Sequence, residues 1–187
     1  MGYSNVRIAG ILYLIASTQF ILGLIVAEAI YPGYSVSLNT ISDLGIGPPA
    51  WIFNVSMFLL GILVLIGTFF HYRAFNSKVF TVLLLLTALG AIGVGLVTKN
   101  MGLAHEIAAV FIFLFGGLST IYFYKILNTS YSIIYVILGL ISLIAAAFFG
   151  LNQYMGLGAG GMERLIVYPI LIWIIGFGGY LITMTEK

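Results

Sequence analysis

The chain has 187 residues, of which 62% are hydrophobic and only 6% are charged, with a mean hydropathy of +1.19 and a net charge of +2. Soluble domains carry about 25% charged residues, so the composition excludes a water-soluble globule. The absence of cysteine excludes disulfides and thiolate chemistry, and the absence of a basic patch excludes a nucleic-acid partner.

Six apolar runs predict an all-α integral membrane protein, because each is close to the roughly 20 residues of helix that cross a bilayer. A backbone in lipid must satisfy its own hydrogen bonds, so we expect helices packed as a six-transmembrane-helix bundle in a single domain. The first run is too long for a signal-peptide core, and we expect it to be retained as the first helix. The predicted helices cover residues 7–28, 50–70, 78–97, 104–124, 131–150 and 162–183.

Lysine and arginine are shared unequally between the two sides of this bundle. Five lie at the termini and at the second and fourth connections, and two lie at the other connections. The five are Arg7, Arg73, Lys78, Lys125 and Lys187, and the two are Lys99 and Arg164. The positive-inside rule therefore predicts a multi-pass plasma-membrane protein with both termini cytoplasmic.

The first connection, residues 29–49, is the longest and is rich in turn residues at both ends. We expect its middle to form a short helix or re-entrant turn, with Asn39 as the N-cap and Gly45 as the stop. Tyr31, Tyr34 and Trp51 suit an interfacial aromatic belt. The loop is predicted to fold over the outer mouth of the bundle.

Scarce ionisable groups gather at the same outer boundaries. Ionisable groups at membrane depth usually face a bundle interior and are candidates for function, although groups near the interface can simply be solvated. The outer acids and histidine are Glu28, Asp43, Glu106, Glu163 and His105, while the fifth acid is Glu186. The predicted ligand-binding residues are Asn39, Ser42, Asp43, His105, Glu106, Glu163 and Arg164.

Opposite charges at similar depth suggest two pairs across helices. One would join Asp43 to Arg164, with His105 as the alternative partner of Asp43, and the other would join Glu163 to His105. Such buried pairs give orientation rather than much net stability.

Catalysis is the second interpretation of these residues. Asp43, His105 and Glu163 would supply three oxygen and nitrogen ligands, enough for an open catalytic zinc site. The chain has no H-E-x-x-H motif and no second outer histidine, so the metal signal is weak and no cofactor is expected. Ser42 with Asp43 and His105 has the residue types of a nucleophilic system, but no G-x-S-x-G elbow accompanies them.

Residues 39–45 read N-T-I-S-D-L-G, which resembles the N-x-I-S-D-L-G element of an uncharacterised membrane family, the domain of unknown function 998. His105, which opens the fourth helix, and Glu163-Arg164, which open the sixth, match that family in type and order. The resemblance covers nearly the whole chain and implies six helices, in archaeal or bacterial plasma membranes for many members. The family is more distantly similar to the Frag1/DRAM/Sfk1 group, linked to lipid handling, and it supplies no catalytic residues.

The favoured interpretation is a protein that binds or senses a lipid headgroup or small amphiphile, with membrane lipid as its partner. The outer polar groups would hold the head, and an apolar groove between helices would hold the tail. One alternative is a membrane-embedded hydrolase or transferase that uses Asp43, His105 and Glu163, with or without a metal. Another is a structural subunit of a homo-oligomer or larger membrane complex, in which the charged pairs lock the fold.

Overall fold

The computed structural model describes residues 2–127 and 129–184, and within them the chain forms six long α-helices and no β-strand. Each helix is long and apolar enough to cross a membrane. The helices are α1 (Gly2–Ile30), α2 (Ala50–Phe75), α3 (Lys78–Leu96), α4 (Leu103–Leu127), α5 (Ile133–Gly150) and α6 (Gly158–Thr183). The prediction of an all-α bundle with six membrane helices is confirmed.

Four helices extend beyond their predicted bounds, α1 and α4 at both ends and α2 and α6 at one end each. The α2 helix continues to Phe75, where the prediction ended at residue 70, and α6 begins at Gly158, where the prediction began at residue 162. The additional α2 turn packs His71 against Phe80 and other rings. The additional α6 turn lies beneath the loop that joins α1 to α2.

The six helices pack in a ring, each against its neighbours in sequence, and α6 closes the ring against α1. Helix α6 also touches α4 across the ring. The most apolar stretch of α6 is 56% buried and that of α5 only 17%, so α6 is the central helix and α5 the most peripheral.

The connections define two ends of the bundle. The loop end carries the α1–α2, α3–α4 and α5–α6 connections, and the terminal end carries the N-terminus with the α2–α3 and α4–α5 connections. The fifth acid Glu186 and the basic residue Lys187, which entered the charge comparison, lie outside the described residues.

The terminal half of the bundle is filled by stacked and tilted aromatic rings. The Phe177 ring lies 5.0 Å from that of Tyr13, 4.7 Å from that of Phe123 and 5.8 Å from that of Trp173, measured between centroids. Aromatic pairs at such distances add about 0.5–1.5 kcal/mol each beyond their buried area. The interior of this half is therefore a packed aromatic core.

Candidate functional site

The α1–α2 loop is seated on the bundle by a short 3₁₀ helix, Ile41–Gly45. Its Ile41 and Leu44 side chains are 1% and 0% exposed, because they point into the bundle between the helix ends. Burying two such side chains contributes about 3–6 kcal/mol, so apolar packing fixes the depth of the loop. The predicted short helix is confirmed, and it ends at Gly45 as expected.

Thr40 is the N-cap of this 3₁₀ helix, so the prediction of Asn39 as the cap is wrong. The Thr40 N–H donates to Asp43 Oδ2 at 2.8 Å. In this half of a capping box, the carboxylate of the third helical residue accepts the N–H of the N-cap. The Asn39 side chain instead stabilises the preceding turn, where its Oδ1 accepts the Ser35 N–H at 2.9 Å. Asn39 therefore holds the turn that leads into the 3₁₀ helix.

The first turn of α6 touches the loop backbone directly. The Gly160 N–H donates to the Ser37 carbonyl at 2.8 Å, and a Cβ at Gly160 would collide with the carbonyl oxygens of Asn39 and Val36. Only glycine permits this approach of two backbones. The glycine-rich start of α6 is thus the seat of the loop.

Arg164, one turn further along α6, holds three carbonyl oxygens with one nitrogen. Its Nη1 donates to the carbonyls of Val36 at 3.0 Å, Asn39 at 3.3 Å and Gly160 at 2.8 Å. The side chain is almost fully buried, with 6% of the residue exposed. It therefore joins the turn that precedes the 3₁₀ helix to α6.

The second terminal nitrogen of Arg164 pairs with α1. Its Nη2 lies 2.5 Å from Glu28 Oε1 and donates to Tyr34 Oη at 2.7 Å, while Tyr34 donates to the Thr40 carbonyl at 3.1 Å. Burial raises the pKa of Tyr34 to about 12, against the lowering effect of the Arg164 hydrogen bond and charge. Tyr34 is thus a neutral link between Arg164 and the loop.

Asp43 pairs with Lys99 of the α3–α4 connection, and the predicted pair of Asp43 with Arg164 is wrong. Lys99 Nζ lies 2.6 Å from Asp43 Oδ1 and donates to Thr40 Oγ1 at 3.0 Å. Burial alone would raise the pKa of Asp43, but Lys99 and the Thr40 N–H lower it below the ordinary value. The two pairs separate because Arg164 faces α1, whereas Asp43 faces the α3–α4 connection.

Glu163 accepts hydrogen bonds from neutral groups of the loop. Its Oε2 accepts the Ile41 N–H in a short hydrogen bond, and its Oε1 accepts the Ser42 hydroxyl at 2.8 Å. The residue is 3% exposed, and no cation lies within ion-pair distance of it in residues 2–127 and 129–184. Glu163 is therefore a buried acceptor, distinct from the two charge pairs.

A narrow cavity runs from Glu163 and Ser42 toward the middle of the bundle. Its volume is about 40 Å³, and Ser42, Thr87 and Glu163 are the polar residues that line it. Five helices supply its apolar walls, represented by Phe20, Leu60, Ala91, Ile112 and Ile170. The lining of α6 extends from Glu163 to Ile174, about 16 Å at a rise of about 1.5 Å per residue. The cavity is consequently a thin crevice with a polar upper end.

His105 and Glu106 do not join this group. His105 is buried, and its Nδ1 bonds to the Val97 carbonyl at 2.7 Å, so it anchors the α3–α4 connection. The predicted pair of Glu163 with His105 is wrong, because Glu163 is engaged by the loop. Glu106 points outward and is exposed, without a hydrogen bond or ion pair in the described part of the chain.

The acids and histidine do not converge as a metal or catalytic site would require. Among the described residues, no three His, Cys, Asp or Glu side chains are grouped so that they could hold a metal ion. Asp43, His105 and Glu163, the candidate ligands and candidate catalytic residues, are instead bound to Lys99, to Val97 and to the loop, respectively.

Three contributors were not among the predicted binding residues. Glu28 and Lys99 provide the opposite charges for Arg164 and Asp43, and Tyr34 bridges Arg164 to the loop. Matching every outer acid with every outer base by charge alone would have included Glu28 and Lys99. No sequence signal distinguishes Tyr34 from the other interfacial tyrosines.

A family model described as "Protein of unknown function (DUF998)" matches residues 14–180 of the chain. That range includes the loop, Lys99, Glu163 and Arg164. No curated protein and no solved structure matches the chain.

Proposed function

The chain belongs to the DUF998 family, and we propose that it binds or senses a single-chain amphiphile whose head donates a hydrogen bond to Glu163. The tail of this ligand would lie in the crevice below. The proposal is carried by one observation, the position of a buried carboxylate at the polar end of an otherwise apolar cavity. Small-molecule sites commonly combine apolar walls with a few placed polar groups.

The chemistry of Glu163 selects the head of the ligand. A carboxylate accepts hydrogen bonds, and the loop donors leave part of its acceptor capacity unused. The Ser42 hydroxyl beside it can also accept. A hydroxyl or amine head therefore fits this end of the cavity, whereas an anionic head would meet a like charge.

The shape of the crevice selects the tail. A volume of about 40 Å³ along about 16 Å of α6 is far below the roughly 300–1,000 Å³ of typical ligand sites, so the crevice must widen to admit even one chain and would exclude fused rings or two chains. The crevice would widen around a single flexible chain, and Met57 in its wall is an adaptable side chain for such repacking.

The position of the loop determines from which side a ligand would enter the proposed site. Because the loop is held over the mouth by Arg164, Glu163 and Lys99, the ligand would enter between helices from the bilayer. Membrane lipid is then the natural source. With both termini cytoplasmic, the head site would lie toward the outer leaflet of the plasma membrane.

The test measures binding of dodecanol, dodecylamine and laurate to the purified protein by native mass spectrometry. We expect dodecanol and dodecylamine to bind and laurate to bind at least about tenfold more weakly, since an interaction lost at a hydrogen-bonded charge is worth about 1.5–3 kcal/mol. Ala91→Val, which fills the crevice wall and leaves the loop contacts intact, should lower dodecanol affinity about tenfold.

Glu106→Gln is the matched control, because it removes an exposed carboxylate near the same end and should bind like wild type. Equal binding of laurate and dodecanol would contradict the assignment of the head site. Unchanged dodecanol binding by Ala91→Val would contradict the assignment of the tail site.

A structural role is the second candidate, favoured by the pairing of Glu28 with Arg164 and of Asp43 with Lys99. Those pairs lock the loop whether or not a ligand binds. Absence of any binding in the amphiphile test, with a folded protein, would favour this role within a larger membrane complex. The hydrolase or transferase alternative has no supporting geometry at Asp43, His105 and Glu163.

A further inference from the structure

A second groove lies outside the proposed site, on the membrane-facing surface between α2 and α3 in the terminal half of the bundle. Its volume is about 450 Å³, within the range of about 300–1,000 Å³ that is typical of ligand sites. The lining is apolar apart from two threonines and a tyrosine, and consists of Leu65, Ile66, Thr68, Phe69, Tyr72, Thr81 and Leu85. The groove thus offers a surface on which a lipid chain can pack.

Both walls of the groove end in a basic residue at the terminal end. On α3, Lys78 lies three residues before Thr81, so it occupies the same helix face one turn closer to the membrane surface. On α2, Arg73 lies four residues after Phe69, and its guanidinium carbon is 5.5 Å from the centroid of the Phe69 ring. A positive rim therefore closes one end of an apolar groove.

This rim is not neutralised by the described protein. The acids of residues 2–127 and 129–184 all lie at the loop end, and the ion pairs Asp43–Lys99 and Glu28–Arg164 do not include Arg73 or Lys78. Both side chains are exposed. Ser77, the N-cap of α3, makes no side-chain capping bond, so the positive end of the α3 dipole adds to the same field.

Thr81 supplies a hydrogen-bonding group inside the groove. The hydroxyls of Thr68, Thr87 and Thr120 each donate to the carbonyl four residues earlier, at 2.7–2.8 Å. The buried Thr81 Oγ1 has no such partner in the described chain. Because this oxygen is covered by protein, a group bound in the groove can accept its hydrogen bond once the Thr81 side chain rotates toward the groove.

We propose that this groove binds one anionic phospholipid of the leaflet at the terminal end. The phosphate lies between Arg73 and Lys78, an ester oxygen accepts from Thr81, and an acyl chain runs along Phe69 and Leu85. Charge complementarity selects an anionic lipid over a zwitterionic one. With the termini cytoplasmic, this is the leaflet whose anionic lipids attract basic residues near the surface.

The first test uses the full-length protein in nanodiscs of phosphatidylcholine and phosphatidylglycerol, with retained lipid counted by native mass spectrometry after release. Wild type should retain one phosphatidylglycerol, and the Arg73→Gln/Lys78→Gln double variant should retain it about 25-fold more weakly, at about fivefold for each basic residue. Lys125→Gln is the matched control, because Lys125 is a basic residue of α4 near the same end of the bundle.

An equal loss in Lys125→Gln would show only general surface attraction and would overturn the proposal. Equal retention of phosphatidylcholine by wild type would overturn it as well. Inorganic phosphate should not displace the lipid, since it cannot use the apolar groove.

The second test measures lipid contact in the groove by tryptophan fluorescence. Phe69→Trp in a Trp51→Phe background places an indole in the groove wall, with the native Trp173 buried in the core. Brominated phosphatidylglycerol should quench this indole more strongly than brominated phosphatidylcholine at the same mole fraction. The preference should disappear in Arg73→Gln/Lys78→Gln and persist in Lys125→Gln, and equal quenching by both lipids in the parent variant would overturn the proposal.

Discussion

Arg164 brings together more of the loop contacts than any other described side chain. It holds three backbone carbonyls and pairs with Glu28 and Tyr34, at 6% exposure. A guanidinium presents five donors in a rigid plane, which a lysine ammonium cannot reproduce. The loop therefore depends on the geometry of this side chain as well as on its charge.

Replacing Arg164 should release the loop. We expect Arg164→Gln to lower the free energy of unfolding by about 1–3 kcal/mol, because it leaves the half-buried Glu28 without its cation and removes the donor to the Val36 and Asn39 carbonyls. The Glu28→Gln/Arg164→Gln double variant should lose less than the sum of the two single changes. Unfolding in mixed micelles measures all three, with the exposed Arg73→Gln as the control.

An Arg164→Gln variant within about 0.5 kcal/mol of wild type would mean that apolar packing by Ile41 and Leu44 alone holds the loop.

At the scale of elements, the start of α6 matters because two backbones meet there. The α6 helix begins with a run of glycines, and the loop carbonyls of Val36 and Asn39 rest where a Cβ of Gly160 would be. Helix propensity disfavours glycine by about 1 kcal/mol relative to alanine. At this position, avoiding a collision with the loop matters more than the helix-propensity cost of glycine.

Gly160→Ala and Gly179→Ala should therefore have opposite effects. Both lie in α6, but a Cβ at Gly179 meets nothing within 4 Å, whereas a Cβ at Gly160 collides with the loop. We expect Gly179→Ala to stabilise the protein by up to about 1 kcal/mol and Gly160→Ala to destabilise it. Thermal unfolding in detergent compares the two, and a stabilised Gly160→Ala would contradict the loop placement.

The helices could be predicted because hydropathy reports membrane depth directly. The early start of α6 could not be predicted, since Gly158 and Gly160 have low helix propensity and only their contact with the loop explains them. The location of Asn39, Asp43 and Glu163 at one end of the bundle could also be predicted, because hydropathy gives the membrane depth of each residue.

The partners at that end could not be predicted, because hydropathy contains no information on how each helix is rotated or which helices are neighbours. Arg164 met Glu28 rather than Asp43 since α6 packs on α1. His105 was directed at a carbonyl of its own connection instead of at α6.

At the scale of the whole molecule, charge is arranged by end. The acids of the described chain lie at the loop end, and Arg73, Lys78 and Lys125 lie at the terminal end. This asymmetry predicts that the terminal end faces the cytoplasm. It also gives the two proposed lipid sites opposite preferences, a donor head at one end and an anionic head at the other.

The orientation can be tested with single cysteines, because the natural chain has none. Leu38 in the loop is 76% exposed and Tyr131 in the α4–α5 connection is 77% exposed. A membrane-impermeant maleimide added to intact cells should label Leu38→Cys but not Tyr131→Cys, and both should react after lysis. Labelling of Tyr131→Cys alone in intact cells would reverse the orientation and the leaflets assigned to both sites.

Glu163 and Arg164, which hold the loop, come much later in the sequence than the loop itself. The loop is therefore synthesised well before the residues that hold it. The bonds from Glu163 and Arg164 to the loop and Glu28 span 121 to 136 residues. At about 5–20 residues per second, the loop would wait about 6–27 seconds for the last helix to leave the ribosome. A nascent chain that stops before α6 is inserted would therefore carry an unfastened loop, and a newly made molecule becomes complete only with its final transmembrane crossing.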